Sequence, residues 1–177
     1  GLRAAQGRGL PATGFFSYEA GYPLEAKLAP LRQRVPDEAP PLLWFGLFHG
    51  FEAVDAERVS QLLPDPASAW AGPVRPLIER AAYEAAVERV KSHIEAGDIY
   101  QANLTFPAEV ATAGGPLGLY ANIRPRARAG HGGVVFTGGH WLLSFSPELF
   151  FTLEGGKARR RPIEGAGRGG ARPPRGA

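Results

Sequence analysis

The sequence predicts an α+β fold in which helices pack with antiparallel sheets. Short apolar segments occur in pairs separated by Gly-rich turns, as around Gly138 and Gly139, and this arrangement is typical of hairpins. Helical periodicity, by contrast, is clear only over residues 80–95. Strands that outnumber helices and follow one another through hairpins favour antiparallel sheets over alternating β–α–β units.

The first part of the chain predicts short elements. Residues 14–18, which are rich in aromatic side chains, indicate a strand, and residues 23–31 indicate a short helix. Residues 42–48 are almost continuously apolar, which predicts a buried strand. Residues 64–76 contain four prolines and a glycine, and we expect a loop or linker there.

The middle of the chain gives the clearest helical pattern. Residues 80–95 contain neither Gly nor Pro, and they place one apolar stripe on a helical face: Ala86, Val87, Val90 and Ile94. Gly97 is the expected stop. Residues 99–106 then alternate with period two, which predicts a strand. Its apolar face would hold Tyr100, Leu104 and Phe106, and its polar face Gln101, Asn103 and Thr105.

Two hairpins are expected near the end. The first joins residues 132–137 to residues 140–145 around Gly138 and Gly139. The second joins residues 149–153 to residues 158–163, with its turn at residues 154–157.

Composition excludes several classes of function. Cysteine is absent, which excludes disulfides, thiolate catalysis and cysteine metal sites. The four histidines are scattered without the spacing of zinc ligands. No apolar run reaches the roughly 18 residues of a membrane span, and residues 1–6 lack the apolar core of a signal peptide. We therefore expect a cytoplasmic protein without a membrane segment.

The last residues differ in composition from the rest. Residues 166–177 contain only Ala, Gly, Arg and Pro, whose codons can consist of G and C alone, so a reading-frame shift in GC-rich DNA would produce such a segment. The chain also contains no Met, not even at its start. We expect a fragment with a partial domain over residues 1–156. Residues 157–177 would form one last strand followed by a disordered or frame-shifted tail.

The basic charge is concentrated in that tail. Residues 157–177 hold seven basic residues and one acid, Glu164, and without them acidic side chains outnumber basic ones. The body therefore carries no nucleic-acid footprint. A non-catalytic module whose Arg- and Gly-rich tail binds RNA is the alternative from another functional class.

Four blocks of the sequence are similar to blocks of one enzyme family. Residues 95–105, EAGDIYQANLT, are similar to aGDiYQvNLt, and residues 144–151, SFSPELFF, contain a match to lSPErF. Residues 161–166, RPIEGA, resemble RPIKGT, and residues 14–22, GFFSYEAGY, resemble GyisYEaGy. Taken in their order along the chain, the four blocks resemble those of chorismate-utilising enzymes, above all component I of aminodeoxychorismate synthase. Anthranilate synthase component I is the alternative within the family.

The resemblance implies a fold and a set of partners. The family fold is a large α+β structure on two antiparallel sheets, with chorismate and Mg²⁺ between them. A glutamine amidotransferase subunit supplies the ammonia. This chain would be a partial copy of that fold. The resemblance places the Mg²⁺ ligands and several substrate contacts in the missing C-terminal half, so we expect the chain to be inactive alone.

Two residues take catalytic positions by this resemblance. Glu148 matches the general acid that protonates the leaving hydroxyl of chorismate, a role that requires a carboxylic acid kept neutral near pH 7. Gln101 matches the position where the water-using isochorismate and salicylate synthases carry a lysine base. Ammonia needs no such base, so Gln fits the ammonia-using branch. Without the resemblance, Glu148 reads as an exposed acid in a turn and Gln101 as a polar residue on a solvated face.

The third block departs from the family. By the resemblance, Glu164 stands where aminodeoxychorismate synthase has a lysine that acts as a covalent nucleophile on the substrate ring. Anthranilate synthase usually has alanine at this position. A carboxylate cannot act as that amine, and it would lie near an anionic substrate. Gly165 and Ala166 match substrate-binding positions, but Ala166 replaces the family threonine and so removes a hydroxyl donor.

Overall fold

The computed structural model describes residues 1–31, 36, 38–147, 149, 151–154 and 157–159. Its helices and strands, in chain order, are α1 (Leu2–Gly7), β1 (Ala12–Phe16), α2 (Gly21–Leu24), β2 (Leu43–Leu47), α3 (Val59–Leu62), β3 (Trp70–Pro76), α4 (Arg80–Glu95), β4 (Ala108–Ala113), α5 (Pro116–Ala127), β5 (His131–Phe136), β6 (Trp141–Ser146), β7 (Thr152–Glu154) and β8 (Lys157–Arg159). Among these helices none combines the length and apolar character needed to cross a bilayer.

The sheets are small and antiparallel. Each has two strands, and the pairs are β1–β2, β3–β4, β5–β6 and β7–β8. Helices and antiparallel hairpins together confirm the predicted α+β class, and they are consistent with a partial chorismate-utilising enzyme fold.

Contacts between residues divide the chain into two compact units. The first comprises Gly1–Arg58 and Arg124–Ala177, and the second comprises Val59–Ile123. The domain boundary predicted at residues 156 and 157 stays a prediction, because most of the residues beyond it lie outside the described part.

The ribbon of β1 and β2 in the first unit corrects the predicted burial. A strand forms over Leu43–Leu47 as expected, and the rings of Phe16 and Phe45 meet edge to face with centroids 5.3 Å apart. The strand is not buried, however, since Leu43 is 55% exposed. A two-stranded ribbon with one neighbour per strand cannot cover both of its faces.

The predicted helix over residues 23–31 is also only partly present. Helix α2 ends at Leu24 after one turn, and a separate 3₁₀ turn forms over Ala29–Leu31.

The first predicted hairpin is confirmed. β5 and β6 pair from His131 opposite Ser146 to Phe136 opposite Trp141. The turn between them closes through Thr137, whose backbone N–H donates to the carbonyl of His140 at 3.0 Å, while Gly138 adopts a φ of 98°. The second hairpin is present as β7 and β8, with Leu153 opposite Ala158. The rest of its predicted second strand, residues 160–163, lies outside the described residues.

Strand β3 in the second unit overturns part of the predicted loop. Residues 70–76 pair with β4, and the register shifts between Ala71 and Val74. The intervening Gly72 and Pro73 therefore form a bulge, which is a position where a residue without an N–H is tolerated within a strand. The Pro and Gly content that predicted a loop instead produces an irregular strand.

Helix α4 is confirmed at both ends. It runs over Arg80–Glu95, as predicted. The side chains of Ala86, Val87 and Val90 in the predicted stripe are half-buried, as is that of Tyr83. Ile94, near the end of the helix, is 41% exposed.

The strand predicted over residues 99–106 is wrong. These residues have no regular secondary structure, and the strand of this region is β4, over Ala108–Ala113. Alternation of apolar and polar side chains does not by itself make a strand, because the backbone needs a neighbour to complete its hydrogen bonds. Here β3 pairs with β4 instead, and the expected face of Gln101, Asn103 and Thr105 does not form.

Helix α5 is an element that the sequence patterns did not predict. Within the second unit its first turns pack on the turn over Pro66–Ser68, where Asn122 Nδ2 donates to the carbonyl of Pro66 at 3.1 Å. Gly118 permits this approach, because a Cβ there would lie 2.5 Å from Oγ of Ser68 and 3.2 Å from Cβ of Ala69. The helix carries the buried side chains Tyr120 and Ala121.

Candidate functional site

The structure describes one of the predicted site residues. Gln101 lies in the irregular segment between α4 and β4, and its side chain is exposed. The other predicted site residues lie outside the described part: Glu148, Glu164, Gly165 and Ala166. Strand β6 ends at Ser146, within the block of residues 144–151 that contains Glu148. The catalytic and substrate-binding roles of all these residues stay predictions.

The segment that carries Gln101 begins at a tightly closed helix end. The N–H of Asp98 donates to the carbonyl of His93 at 3.0 Å, and the N–H of Gly97 donates to that of Ile94 at 3.1 Å. Gly97 has a φ of 78°. These features together form a Schellman motif, in which a left-handed residue satisfies the last carbonyls of the helix.

A polar pair accompanies this motif. Nδ1 of His93 lies 2.8 Å from Oδ2 of Asp98, and both side chains are 61% exposed. Because a carboxylate only accepts hydrogen bonds, the Nδ1–H of the imidazole is the donor. In Schellman motifs these two positions frequently share a hydrophobic contact, and here an ion-pair geometry takes its place.

The other end of the segment contacts the same helix. The rings of Phe106 and Tyr83 meet edge to face with centroids 5.3 Å apart. The N–H of Leu77 donates to the carbonyl of Pro107 at 2.9 Å. The segment is therefore attached near both ends, and all of these residues belong to the second unit.

A large cavity lies in the first unit and was not predicted. It has a volume of about 1120 Å³, and residues that line it include Phe15, Ser17, Tyr22, His131, Val134 and Ser144. The Oγ atom of Ser17 is buried and meets no hydrogen-bond partner among the described residues. Apolar walls with a few polar groups are typical of small-molecule pockets.

The signal that could have located this cavity was present in the sequence. The family-like block over residues 14–22 supplies several of its lining residues, among them Ser17, and Ser144 comes from the block over residues 144–151. The structure brings these distant blocks together in one unit. The block with Gln101 belongs to the other unit.

The family resemblance implies Mg²⁺, which makes the grouping of metal-ligating side chains relevant. Mg²⁺ takes oxygen ligands in near-octahedral geometry, and proteins bind it through carboxylates. No group of three or more His, Asp or Glu side chains that could hold a metal ion occurs in the part of the chain that the structure describes.

A match over nearly the whole chain decides its family. A sequence profile of the chorismate binding enzymes matches residues 2–174. The chain belongs to the chorismate binding enzyme family. The family resemblance predicted from the four sequence blocks is thus confirmed.

Two curated proteins are similar to this member of the family. The 2-amino-4-deoxychorismate synthase of Streptomyces globisporus is 35% identical over 110 residues, which cover 60% of this chain and 22% of that protein. Anthranilate synthase component 1 of Haloferax volcanii is 29% identical over 142 residues, or 78% of this chain and 26% of that protein. The chain thus spans about a quarter of the length of the relatives it matches. No solved structure gives a significant match.

Proposed function

We propose that the chain is part of an enzyme that replaces the 4-hydroxyl of chorismate with ammonia. The product is 4-amino-4-deoxychorismate, on the route to p-aminobenzoate and folate. The observation that carries this proposal is the family match over residues 2–174. Within the family, the resemblance of residues 95–105 to component I of aminodeoxychorismate synthase favours this branch.

Two side chains have proposed roles in the exchange. Glu148 donates a proton to the 4-hydroxyl as its C–O bond breaks, so that the group leaves as water. A general acid must hold its proton at the working pH and be within hydrogen-bond reach of the leaving oxygen. Gln101 occupies the position of the lysine base of the water-using enzymes. Its neutral amide fits ammonia, which forms the new C–N bond with its own lone pair.

The remaining machinery belongs to the parent enzyme, by which we mean a longer polypeptide of this gene containing the whole family domain. Mg²⁺ is its proposed cofactor and binds the carboxylates of chorismate, with ligands outside this chain. A glutamine amidotransferase subunit is the proposed source of ammonia, and the cytoplasm the proposed setting. The support for a longer parent is that the matched regions amount to 22% and 26% of the relatives. We propose that the 177-residue chain is inactive alone.

Amination at carbon 2 is the second candidate. The name of the Streptomyces relative puts the amino group at carbon 2, and the product that gives the Haloferax relative its name is a 2-aminobenzoate. The position that separates the two branches in the family does not decide, because Glu164 matches neither the lysine of one nor the alanine of the other.

The test compares the parent enzyme with the 177-residue chain. Each is incubated with chorismate, Mg²⁺ and ¹⁵N-labelled ammonium, and NMR of the product locates the new C–N bond. We expect the parent to form the bond at carbon 4 and the short chain to form no amine. A bond at carbon 2 would replace the first candidate by the second. Failure of the parent to aminate chorismate would overturn both, and turnover by the short chain would overturn its proposed inactivity.

A glutamine arm tests the ammonia source. Co-expression of the parent with its amidotransferase subunit should allow glutamine to replace ammonium, whereas the parent alone should use ammonium only. Turnover of glutamine by the isolated parent would contradict the proposed two-subunit arrangement.

A further inference from the structure

We propose that α4 positions Gln101 through two side-chain anchors, His93 before the segment that carries it and Tyr83 after that segment. The inference concerns the segment over residues 99–105, which lies between the helix and β4. It rests on the proposed function only in the importance it gives to Gln101. The geometry of the anchors stands without it.

The need for anchors follows from the segment itself. Among the described residues, the backbone of residues 99–106 forms no hydrogen bond to other backbone groups. Its side chains are mostly exposed, and Tyr100 is 91% exposed. A segment with few buried contacts and a solvated backbone belongs to the least stable part of a structure. Its conformation therefore depends on its attachment points.

The first anchor sets the direction in which the chain leaves the helix. The Schellman bonds hold the backbone of Gly97 and Asp98 over the last turn. The 2.8 Å contact between Nδ1 of His93 and Oδ2 of Asp98 then holds the side chain that immediately precedes the segment. Gln101 is only three residues further along the chain, so the direction in which the chain leaves Asp98 limits where Gln101 can lie.

The second anchor holds the far end. The ring of Phe106 packs on the edge of Tyr83, which is half-buried on α4. Edge-to-face aromatic pairs are favourable beyond the area that they bury. Tyr83 and His93 are ten residues apart on one helix, which separates the two anchors by about 15 Å along its axis. One rigid helix therefore sets the distance between the two ends of the segment.

The experiment measures ¹⁵N backbone relaxation of the 177-residue chain and of single variants, without chorismate. His93→Phe keeps a ring but removes the donor to Asp98. His93→Asn restores a side-chain N–H close to the position of Nδ1. Tyr83→Leu removes the aromatic edge, whereas Tyr83→Phe keeps it. Lys91→Gln is the matched control on the same helix, since it breaks the 3.0 Å pair with Glu88 about 200° around the helix from His93.

The expected result is graded along the segment. In the unsubstituted 177-residue chain the order parameter at Gln101 should lie nearer to the ~0.85 of rigid backbone than to the ~0.6 of flexible chain. His93→Phe should lower it below ~0.6 at Gln101, with a smaller change at Thr105. Tyr83→Leu should give the opposite gradient. His93→Asn, Tyr83→Phe and Lys91→Gln should leave the profile unchanged, and the amides of α4 should keep their chemical shifts in every variant.

Several outcomes would overturn the proposal. One is an unchanged order parameter at Gln101 in His93→Phe, and another is an equal loss in His93→Phe and Lys91→Gln. If the order parameter at Gln101 in His93→Asn stays below that of the unsubstituted chain, the hydrogen bond is not the anchor. Because no measurement uses chorismate, failure of the anchors and failure of the proposed amination are separate results.

Discussion

Gly14 of β1 lies directly against the backbone of Trp44 and Phe45 on β2. A Cβ at this position would clash with the carbonyl oxygen of Trp44 and lie 2.8 Å from the Cα of Phe45. The glycine therefore sets how closely the two strands approach. The same ribbon supplies lining residues of the cavity in the first unit, among them Phe15 and Phe16.

The first prediction concerns this close approach. Gly14→Ala should destabilise the chain by about 1–3 kcal/mol, because the clash is with backbone and no rotamer change relieves it. Chemical denaturation followed by circular dichroism measures the loss. Gly133→Ala is the control on β5, where an added Cβ meets no atom within 4 Å. Equal free energies of unfolding for Gly14→Ala and the unsubstituted chain would contradict the observed pairing of β1 with β2.

The second prediction concerns the end of α4. Gly97 has a φ of 78°, and open space surrounds the position of its missing Cβ. Gly97→Ala should therefore cost about 1–2 kcal/mol through backbone strain alone. Gly50→Ala has equally open space and no positive φ, so we expect it to change the free energy of unfolding by less than about 0.5 kcal/mol. If Gly97→Ala is as stable as Gly50→Ala, the left-handed helix end is wrong.

The third prediction concerns Glu148 in the parent enzyme. Glu148→Gln keeps the shape of the side chain and removes its transferable proton. The change should lower kcat by about 10²–10⁴-fold and leave KM nearly unchanged, as expected for a group that acts in the transition state. Steady-state formation of the aminated product measures both constants. Near-parent turnover would remove the general-acid assignment.

The fourth prediction concerns the departure in the third block. Glu164→Lys together with Ala166→Thr should raise the output of 4-amino-4-deoxychorismate by the parent enzyme. The pair of changes restores the amine and the hydroxyl of the branch that the chain resembles, and it removes a negative charge near an anionic substrate. The product assay with ¹⁵N-ammonium measures the gain. An unchanged or lower output would show that Glu164 is an adaptation, and it would weaken the assignment to amination at carbon 4.

Local signals explain which elements were predicted correctly. Helix α4 has a complete set of them: an apolar stripe, no helix breaker and a terminal Gly97. The β5–β6 hairpin has a turn signal at Gly138 between two apolar runs. In both cases residues near in sequence supply the hydrogen-bond partners, so the pattern and the structure are decided over the same short distance.

The errors occur where a distant partner decides. Residues 99–106 alternate like a strand, yet β3 pairs with residues 108–113. Residues 70–76 resemble a loop, yet the neighbour β4 accepts them with a bulge around Gly72 and Pro73. Helix α5 contains Pro125 and few helical signals, but its packing against the turn over Pro66–Ser68 stabilises it.

The candidate site follows the same division. The sequence by itself determined the family and the α+β class, because short blocks and local periodicity contain that information, and it named Gln101 as a candidate site residue. Only the tertiary structure decided that Gln101 lies on an exposed segment attached to α4 near both ends, and that Ser144 lines the same cavity as residues of the block over 14–22. These relationships depend on contacts between residues far apart in the chain, and such contacts leave no periodic trace in the sequence of either partner.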